Sequence, residues 1–370
     1  MAIPPCPYFN KCGGCTTQHI DYPLQVEQKR KALAHVIQYD DIKIFSGNEY
    51  AYRNRMDFVF HPRGLGLRER GKWYSIVDIQ NCAISDAKIN QLLQEVQDYF
   101  KNPDAFDVRK HTGTFRYAVI RATSVGDSSI SFVLNDDSSR LGEAVEKIKQ
   151  FSIKTTAKNI MIAAVPSHTD VSISEDSSVI KGNEYLQEEL MGKKFYFSIQ
   201  GFFQNNSSMA QKMQEYVHSV LQQYPATSSA HLLDLYGGVG TFGIINADLF
   251  AGITIIDMGP SIDAATKNLQ ENKIANGIAH NMDAMQLKKL SFPKPLFVIT
   301  DPPRTGMHSK TIDQLNVLQP EVIIYISCNV AQLEKELPKL KNYSIKSAAL
   351  FDLFPQTNHS EAVVELVRKS

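Results

Sequence analysis

The chain has 370 residues, 43% of them hydrophobic, and Lys plus Arg equals Asp plus Glu at 39 each. That length exceeds one ordinary core and points to two or three packed domains, while zero formal net charge excludes a global field for polyanions and leaves any nucleic-acid contact to a local basic patch. No apolar run approaches the roughly 20 residues that span a bilayer, and Met1-Ala2-Ile3-Pro4-Pro5-Cys6 has neither the basic nor the apolar region of a signal peptide, so a cytoplasmic protein without membrane contact is expected.

The five cysteines divide unequally: Cys6, Cys12, Cys15 and Cys82 crowd the first quarter and Cys328 stands alone. In a reducing compartment such a cluster reads as metal-binding or catalytic rather than as a disulfide framework. Cys-x5-Cys-x2-Cys with a distant fourth cysteine suits zinc or an iron-sulfur cluster equally, since both accept four thiolates. A radical S-adenosylmethionine enzyme is the sharpest rival, but it uses Cys-x3-Cys-x2-Cys and leaves one iron open, whereas Cys82 closes the coordination here.

Beyond the third cysteine the pattern predicts a helix over Tyr22 to Tyr39, a strand over Met56 to Phe60, and a hairpin punctuated by Gly64, Gly66 and Gly71 that leads to a strand over Ile76 to Ile79. Arg53, Arg55, Arg63, Arg68, Arg70 and Lys72 face only Asp57 and Glu69 in this stretch, with Tyr52, Phe58, Phe60, Trp73 and Tyr74 interleaved or adjacent. Cations with aromatics suit phosphate contact and base stacking. Residues 1–88 are therefore read as a metal-stapled, RNA-contacting region.

Residues 89–197 read as an α+β domain, with helices over Ile89 to Phe100 and Leu141 to Gln150 and strands over Arg116 to Arg121, Ile130 to Leu134 and Ile160 to Val165. From residue 198 to 370 strands alternate with helices, the mark of an α/β doubly wound sheet. Strands are predicted at His231 to Leu235, Gly252 to Ile256, Leu296 to Thr300, Val322 to Ile326, Leu350 to Phe354 and Ala362 to Val367, with helices at Met209 to Gln223, Ile262 to Asn272 and Val330 to Leu340.

Asp234-Leu235-Tyr236-Gly237-Gly238-Val239-Gly240 is a strand running into a glycine-rich turn. Glycines let backbone amides approach a ligand at the carboxyl edge where open α/β sheets bind nucleotides. The turn lacks the Gly-Lys-Ser/Thr of a phosphate loop and the Gly-x-Gly-x-x-Gly of a dinucleotide site. Asp257 ends the next strand, where an acid accepts hydrogen bonds from both ribose hydroxyls of an adenosine. Asp301-Pro302-Pro303-Arg304 follows the third strand, its prolines fixing an extended turn that presents the carboxylate at the same edge.

Cys328 follows Tyr325-Ile326-Ser327 at a further strand exit, just before a helix. A helix N-terminus lowers a thiol pKa, so Cys328 is expected to favour the thiolate and to act as a nucleophile. Glu361 lies between the two terminal strands, three residues before Val364 and two after His359, which reads as an orienting or packing residue.

Cys6, Cys12-Gly13-Gly14-Cys15 with Gln18-His19, Gly201-Phe202-Phe203-Gln204-Asn205-Asn206, Asp301-Pro302-Pro303-Arg304, Ser327-Cys328-Asn329 and Phe354-Pro355-Gln356-Thr357 with Glu361 together resemble the RNA uracil-5-methyltransferases over nearly the whole chain. The resemblance implies a class I, Rossmann-like methyltransferase domain at the C-terminus, S-adenosylmethionine as methyl donor, Cys328 as nucleophile and Glu361 as base. It implies a cofactor and base pocket lined by Gln204, Tyr236, Gly238, Gly240, Asp257 and Asp301, and a 4Fe-4S cluster on Cys6, Cys12, Cys15 and Cys82. Asp257 stands where the family more often has Glu, Gly237 where Cys is common, and Gln332 where Thr is frequent. With Cys6 so near the start, the additional N-terminal RNA-binding barrel (TRAM domain) of some members is not expected. This short form favours 23S ribosomal RNA as substrate, with the T loop of transfer RNA as the alternative, and a monomer. A cluster-bearing RNA-binding or redox-sensing protein on an inactive methyltransferase scaffold is the rival of another class.

Overall fold

This computed structural model describes residues 2–369. In chain order they form α1 (Tyr22–Ile37), β1 (Ile42–Phe45), β2 (Arg55–His61), β3 (Gly64–Glu69), β4 (Lys72–Asp78), α2 (Ala87–Tyr99), β5 (Phe115–Ala122), β6 (Ser128–Asn135), α3 (Leu141–Lys154), β7 (Asn159–Val165), β8 (Ser177–Lys181), β9 (Tyr185–Leu190) and β10 (Lys193–Ser198). Then follow α4 (Ser207–Leu221), β11 (His231–Leu235), α5 (Thr241–Ile245), β12 (Gly252–Asp257), α6 (Ser261–Glu271), β13 (Gly277–Asn281), β14 (Leu296–Thr300), α7 (Ser309–Leu318), β15 (Val322–Ser327), α8 (Val330–Glu336), β16 (Tyr343–Phe351) and β17 (Glu361–Arg368).

Two units emerge, the first holding the chain up to Asp21, Asn48–Glu188 and Ser198–Gln200, the second Tyr22–Gly47, Glu189–Phe197 and Gly201 onward. In the first, seven strands run in the order β4-β3-β2-β5-β6-β7-β8. Alternation decides the faces: Met56, Phe58 and Phe60 of β2 pack with Phe100, Phe132 and Phe151 in one buried core, and Tyr117, Val119 and Val133 point to the other face with Val59. Leu92, Leu93 and Val96 of α2 and Ile148 of α3 fill the same core, so the expected border between residues 88 and 89 separates no cores.

The second unit is an eight-stranded sheet in the order β1-β16-β17-β15-β14-β11-β12-β13. Strands β11 to β15 pair in parallel, the apolar runs of β11, β12, β14 and β15 buried, and β17 enters antiparallel between β15 and β16. The segment Tyr22–Gly47, expected with the cysteine region, belongs here instead: β1 adds a parallel edge strand beside β16, Ile42 opposite Ala348. Helix α1 is anchored by a buried ion pair, Lys29 Nζ to Asp352 Oδ1 at 2.6 Å, and by Gln25 Nε2 donating to Gln356 Oε1 at 3.0 Å. The terminal strand expected at Leu350 to Phe354 ends at Phe351; it begins at Tyr343 and carries an irregularity between Ile345 and Ser347. Among the described residues no helix is long and apolar enough to cross a membrane.

Candidate active site

Strand register brings the chemistry-bearing residues of the second unit to one edge. Leu235 pairs with Ile256 on one side and Thr300 on the other, and Thr300 with Tyr325, so Tyr236, Asp257, Asp301 and the Ser327-Cys328 exit all leave the sheet at its carboxyl end. Ser327 lies opposite Ala362 on antiparallel β17, which carries Glu361 back to that edge.

At β11 the backbone leaves the strand through positive φ at alternate positions: Tyr236 at +58°, Gly238 at +56°, and Gly240 at +87°, which caps α5. A Cβ on Gly240 would meet Ile255 Cδ1 at 2.9 Å, and one on Gly237 would meet Ile255 Cγ2 at 2.7 Å, so the turn folds closely onto β12 only without side chains. Asp257 closes the other side: Oδ2 accepts from Gly238 N and Oδ1 from Met258 N, each at 2.6 Å. A carboxylate has about four lone-pair sites, so two remain for hydroxyl donors. Burial pushes the Asp257 carboxyl up against the opposing pull of these two amides. Gln204 lies part-buried in the connection to α4, two residues before Asn206, which caps α4 and donates from Nδ2 to Leu353 O at 3.1 Å.

Cys328, Asp301, Glu361 and Arg304 share one electrostatic neighbourhood. Cys328 is part-buried; burial first, then the charges of Glu361 and Asp301, push its thiol up to about 11, with Arg304 pulling the other way. Burial and these two carboxyl groups act against the favoured thiolate expected at this position. Helix α8 has only seven residues, and its N-terminal field is outweighed by desolvation and two carboxyl groups. Glu361, 4% exposed, is raised well above the ordinary carboxyl range by burial and then by Asp301. Asp301 rises to about 7 through burial and the charge of Asp257. Arg304 is exposed and also reaches His359, Nη2 to Nδ1 at 3.3 Å.

In the first unit, Cys6, Cys12, Cys15 and Cys82 lie close enough that each raises or is felt by the thiols of Cys12 and Cys15; burial is the larger cause and takes Cys15 up to about 12. The loop is fixed locally: Cys12 N donates to Tyr8 O at 2.9 Å, Gly14 N to Cys12 Sγ at 3.3 Å, and Cys82 N to Asn90 Oδ1 at 2.9 Å. Among the described residues no three His, Cys, Asp or Glu side chains are grouped to hold a single metal ion.

The basic stretch is less free than its sequence suggests. Arg55 is paired with Asp57 at 2.9 Å, Lys72 with Glu69 at 2.6 Å, and Arg68 with Asp170 at 2.8 Å, an acid 102 positions away that local charge counting does not reach.

A family model described as tRNA (uracil-5-)-methyltransferase matches residues 21–369. The chain belongs to this family. It is an RNA (uracil-5-)-methyltransferase, and it is 31% identical over 368 residues to the tRNA (uracil(54)-C(5))-methyltransferase of Pyrococcus furiosus, across 98% of this chain and 85% of that one. An uncharacterized RNA methyltransferase of Caldanaerobacter subterraneus is likewise 31% identical, over 99% of this chain and 85% of its own length. The crystal structure of the Pyrococcus abyssi tRNA (uracil-54, C5)-methyltransferase in complex with S-adenosyl-L-homocysteine superposes with a TM-score of 0.81 at 28% identity, over 96% of this chain and 86% of that one. The names of these Pyrococcus relatives specify transfer RNA, which gives no support to the expected preference for 23S ribosomal RNA.

Sequence reasoning missed how this uracil-5-methyltransferase holds its Asp301–Met307 loop. Buried Glu336 of α8 accepts from Met307 N at 3.1 Å and from the Tyr325 hydroxyl at 2.5 Å, and Asn329 Nδ2 donates to Arg304 O at 2.9 Å. Gln332, singled out for departing from the usual Thr, donates to Thr305 O and, at 3.2 Å, to Glu336 Oε1. No local signal marks a glutamate at the end of a short helix as a loop anchor; a charged residue on the apolar face of that helix is the hint.

Proposed function

We propose that this protein methylates carbon 5 of a specific uridine in transfer RNA, with S-adenosylmethionine as donor and Cys328 as covalent nucleophile. The observation that carries the reading is the convergence of Cys328, Glu361 and Asp301 on one strand edge beside the Tyr236–Gly240 turn. Carbon 5 of uracil is a weak nucleophile until a thiolate adds at carbon 6 and moves the double-bond electrons into an enolate. Cys328 must lose its proton, and Asp301 is the neighbouring carboxylate that takes it; with the thiol at about 11 and Asp301 at about 7 the transfer is uphill and is drawn forward by addition at carbon 6. S-adenosylmethionine bound there would supply the methyl group to carbon 5, its sulfonium becoming a neutral thioether. Glu361 then takes the carbon 5 proton, the double bond re-forms, and Cys328 departs as thiolate. Burial raises the Glu361 carboxyl, so in its ionised form it is a stronger base at that step than an exposed glutamate.

Gln204, Tyr236, Gly238, Gly240 and Asp257 hold the cofactor in this reading, the glycine turn giving close approach and Asp257 accepting from the ribose. Cys6, Cys12, Cys15 and Cys82 hold a 4Fe-4S cluster. What supports it is the motif resemblance, together with the fields of the neighbouring thiols felt at Cys12 and Cys15 and an amide aimed at Cys12 Sγ. The cluster would cross-link the loop bearing Cys6, Cys12 and Cys15 to the β4–α2 connection bearing Cys82.

Incubation of the purified protein with labelled cofactor and either unmodified transfer RNA or ribosomal RNA tests this directly. The expected result is 5-methyluridine in transfer RNA and none from Cys328→Ala. Full activity of Cys328→Ala sinks the covalent mechanism, label confined to ribosomal RNA sinks the target, and RNA binding without any product favours the inactive-scaffold reading. A colourless protein after anaerobic purification refutes the cluster.

A further inference from the structure

The sheet of the first unit has two faces, and only one is covered by α2 and α3. The other carries an open cavity of about 500 Å³, within the roughly 300–1,000 Å³ of small-ligand sites, at the β2-β3-β4-β5 end. One wall is the Tyr74 ring, 46% exposed, with the Arg109 guanidinium 5.1 Å from its centroid. Phe106, with the Arg116 guanidinium 4.1 Å from its ring centroid, is a second aromatic of the lining. Arg116 is 2% exposed and is held by the carbonyls of Pro166, at 2.9 Å, and Thr169, while its Nε–H finds no acceptor in the protein. Val59 and Ile76 supply an apolar floor, and Arg63 stands at the rim.

Two aromatic rings backed by guanidinium groups, an apolar floor and further cations are the components that recognise an unstacked nucleotide: the ring takes the base face and the arginines the phosphate. Asp170 adds a second, independent sign. Both oxygens of its carboxylate accept from the one Nη2 of Arg68, at 2.8 and 3.0 Å, and Oδ1 also accepts from the Tyr117 hydroxyl, so an oxyanion already sits among these donors. Trp73, 57% exposed and edge-on to Tyr74 at 5.8 Å, extends the aromatic surface past the rim.

We propose that this cavity binds one unpaired nucleotide of the RNA substrate, distinct from the uridine that Cys328 attacks, with its base on Tyr74 and its phosphate on Arg109 and Arg63. The inference rests on the RNA-methyltransferase reading above and adds to it a second anchoring point, remote in sequence from every residue of the reaction centre. Its role is affinity and register, with no part in bond making.

The test uses full-length protein with unmodified transfer RNA transcripts. Tyr74→Ala and Arg109→Gln, both at exposed positions, should each weaken RNA binding about 5- to 20-fold, the scale of one lost stacking contact, with kcat at saturating RNA and cofactor affinity unchanged; Tyr74→Phe should restore binding. Wild-type affinity in Tyr74→Ala and Arg109→Gln overturns the proposal, as does a loss of kcat without a loss of affinity. Displacement of RNA by micromolar uridine monophosphate, or Tyr74-dependent binding of a polyglutamate peptide in its place, overturns the RNA assignment of the cavity. Product formation by the wild type is scored separately: 5-methyluridine with normal binding by both variants fails the cavity alone, whereas absence of product on every RNA fails the parent reading and leaves the binding comparison intact.

Discussion

Cys328 should behave as a slow thiol in the protein without substrate, and the degree of slowness follows from its surroundings. An ordinary thiol at 9.0 is about 10% ionised at pH 8, whereas one at about 11 is about 0.1% ionised, a hundredfold deficit in thiolate. The more basic thiolate is also the more nucleophilic; a Brønsted slope of about 0.45 over two units returns roughly eightfold. The net expectation is alkylation by iodoacetamide about tenfold slower than free cysteine at pH 8, with the rate still climbing above pH 10. Arg304 is the cation that opposes Glu361 and Asp301 at this thiol. Because it is exposed, its removal is worth about 0.2–1 kcal/mol, so with the same Brønsted return Arg304→Gln should slow alkylation at pH 8 by a further factor of about 1.2 to 2.5.

Peptide-level mass spectrometry after short pulses of reagent separates Cys328 from the cysteines of the first unit, and the pH series gives the midpoint for each. A Cys328 midpoint at or below 8, or alkylation at pH 8 faster than free cysteine, would refute the reasoning, since the field at the start of α8 would then have overcome burial and both carboxyl groups. Faster alkylation of Arg304→Gln would refute the assignment of Arg304 as the opposing charge.

Asp257→Ala removes the acceptor of Gly238 N and Met258 N and of the proposed ribose hydroxyls; calorimetry should show cofactor affinity down by about 10- to 100-fold with RNA affinity unchanged, and unchanged cofactor affinity would exclude the assignment. Lys29→Met leaves Asp352, which is fully buried, without its cation and should cost about 3–5 kcal/mol in denaturant unfolding of the methyltransferase unit; a loss under about 1 kcal/mol would mean that Asp352 finds compensation elsewhere. Glu336→Leu frees Met307 N and the Tyr325 hydroxyl and should lower kcat about tenfold with cofactor affinity retained, and Glu336→Gln should recover most of it, because the loop bearing Asp301 and Arg304 is positioned through this carboxylate; equal kcat in both variants and the parent would deny it that role.

The legible part of the second unit is its interior. Leu296–Thr300 and Val322–Ser327 are short apolar runs closed by a chemistry-bearing residue, and strands of that kind can lie only in a covered parallel sheet, which places Asp301 and Cys328 at one edge. Elements whose stability comes from distant partners are not legible. Strand β13 reads Gly-Ile-Ala-His-Asn with no apolar period, and β1 is four residues long with Lys43 inside it; each exists because a neighbouring strand offers an edge, and for β1 that strand lies near the other end of the chain. The sequence pattern displaces strand β16 toward its apolar end because its first half, Tyr-Ser-Ile-Lys-Ser, alternates through an irregularity. The cysteine at the reaction centre shows the same division most sharply. Its position at a strand exit before a helix is local and readable, but its acidity is a competition between one end of a seven-residue helix and two carboxyl groups delivered by β14 and β17. A short helix offers at most about half a unit charge, partly screened at its exposed end. Two nearby carboxyl groups in a desolvated site exceed that, so in the free protein the thiol stays protonated, and its ionisation waits on a proton acceptor within the site, the role in which Asp301 serves the proposed reaction.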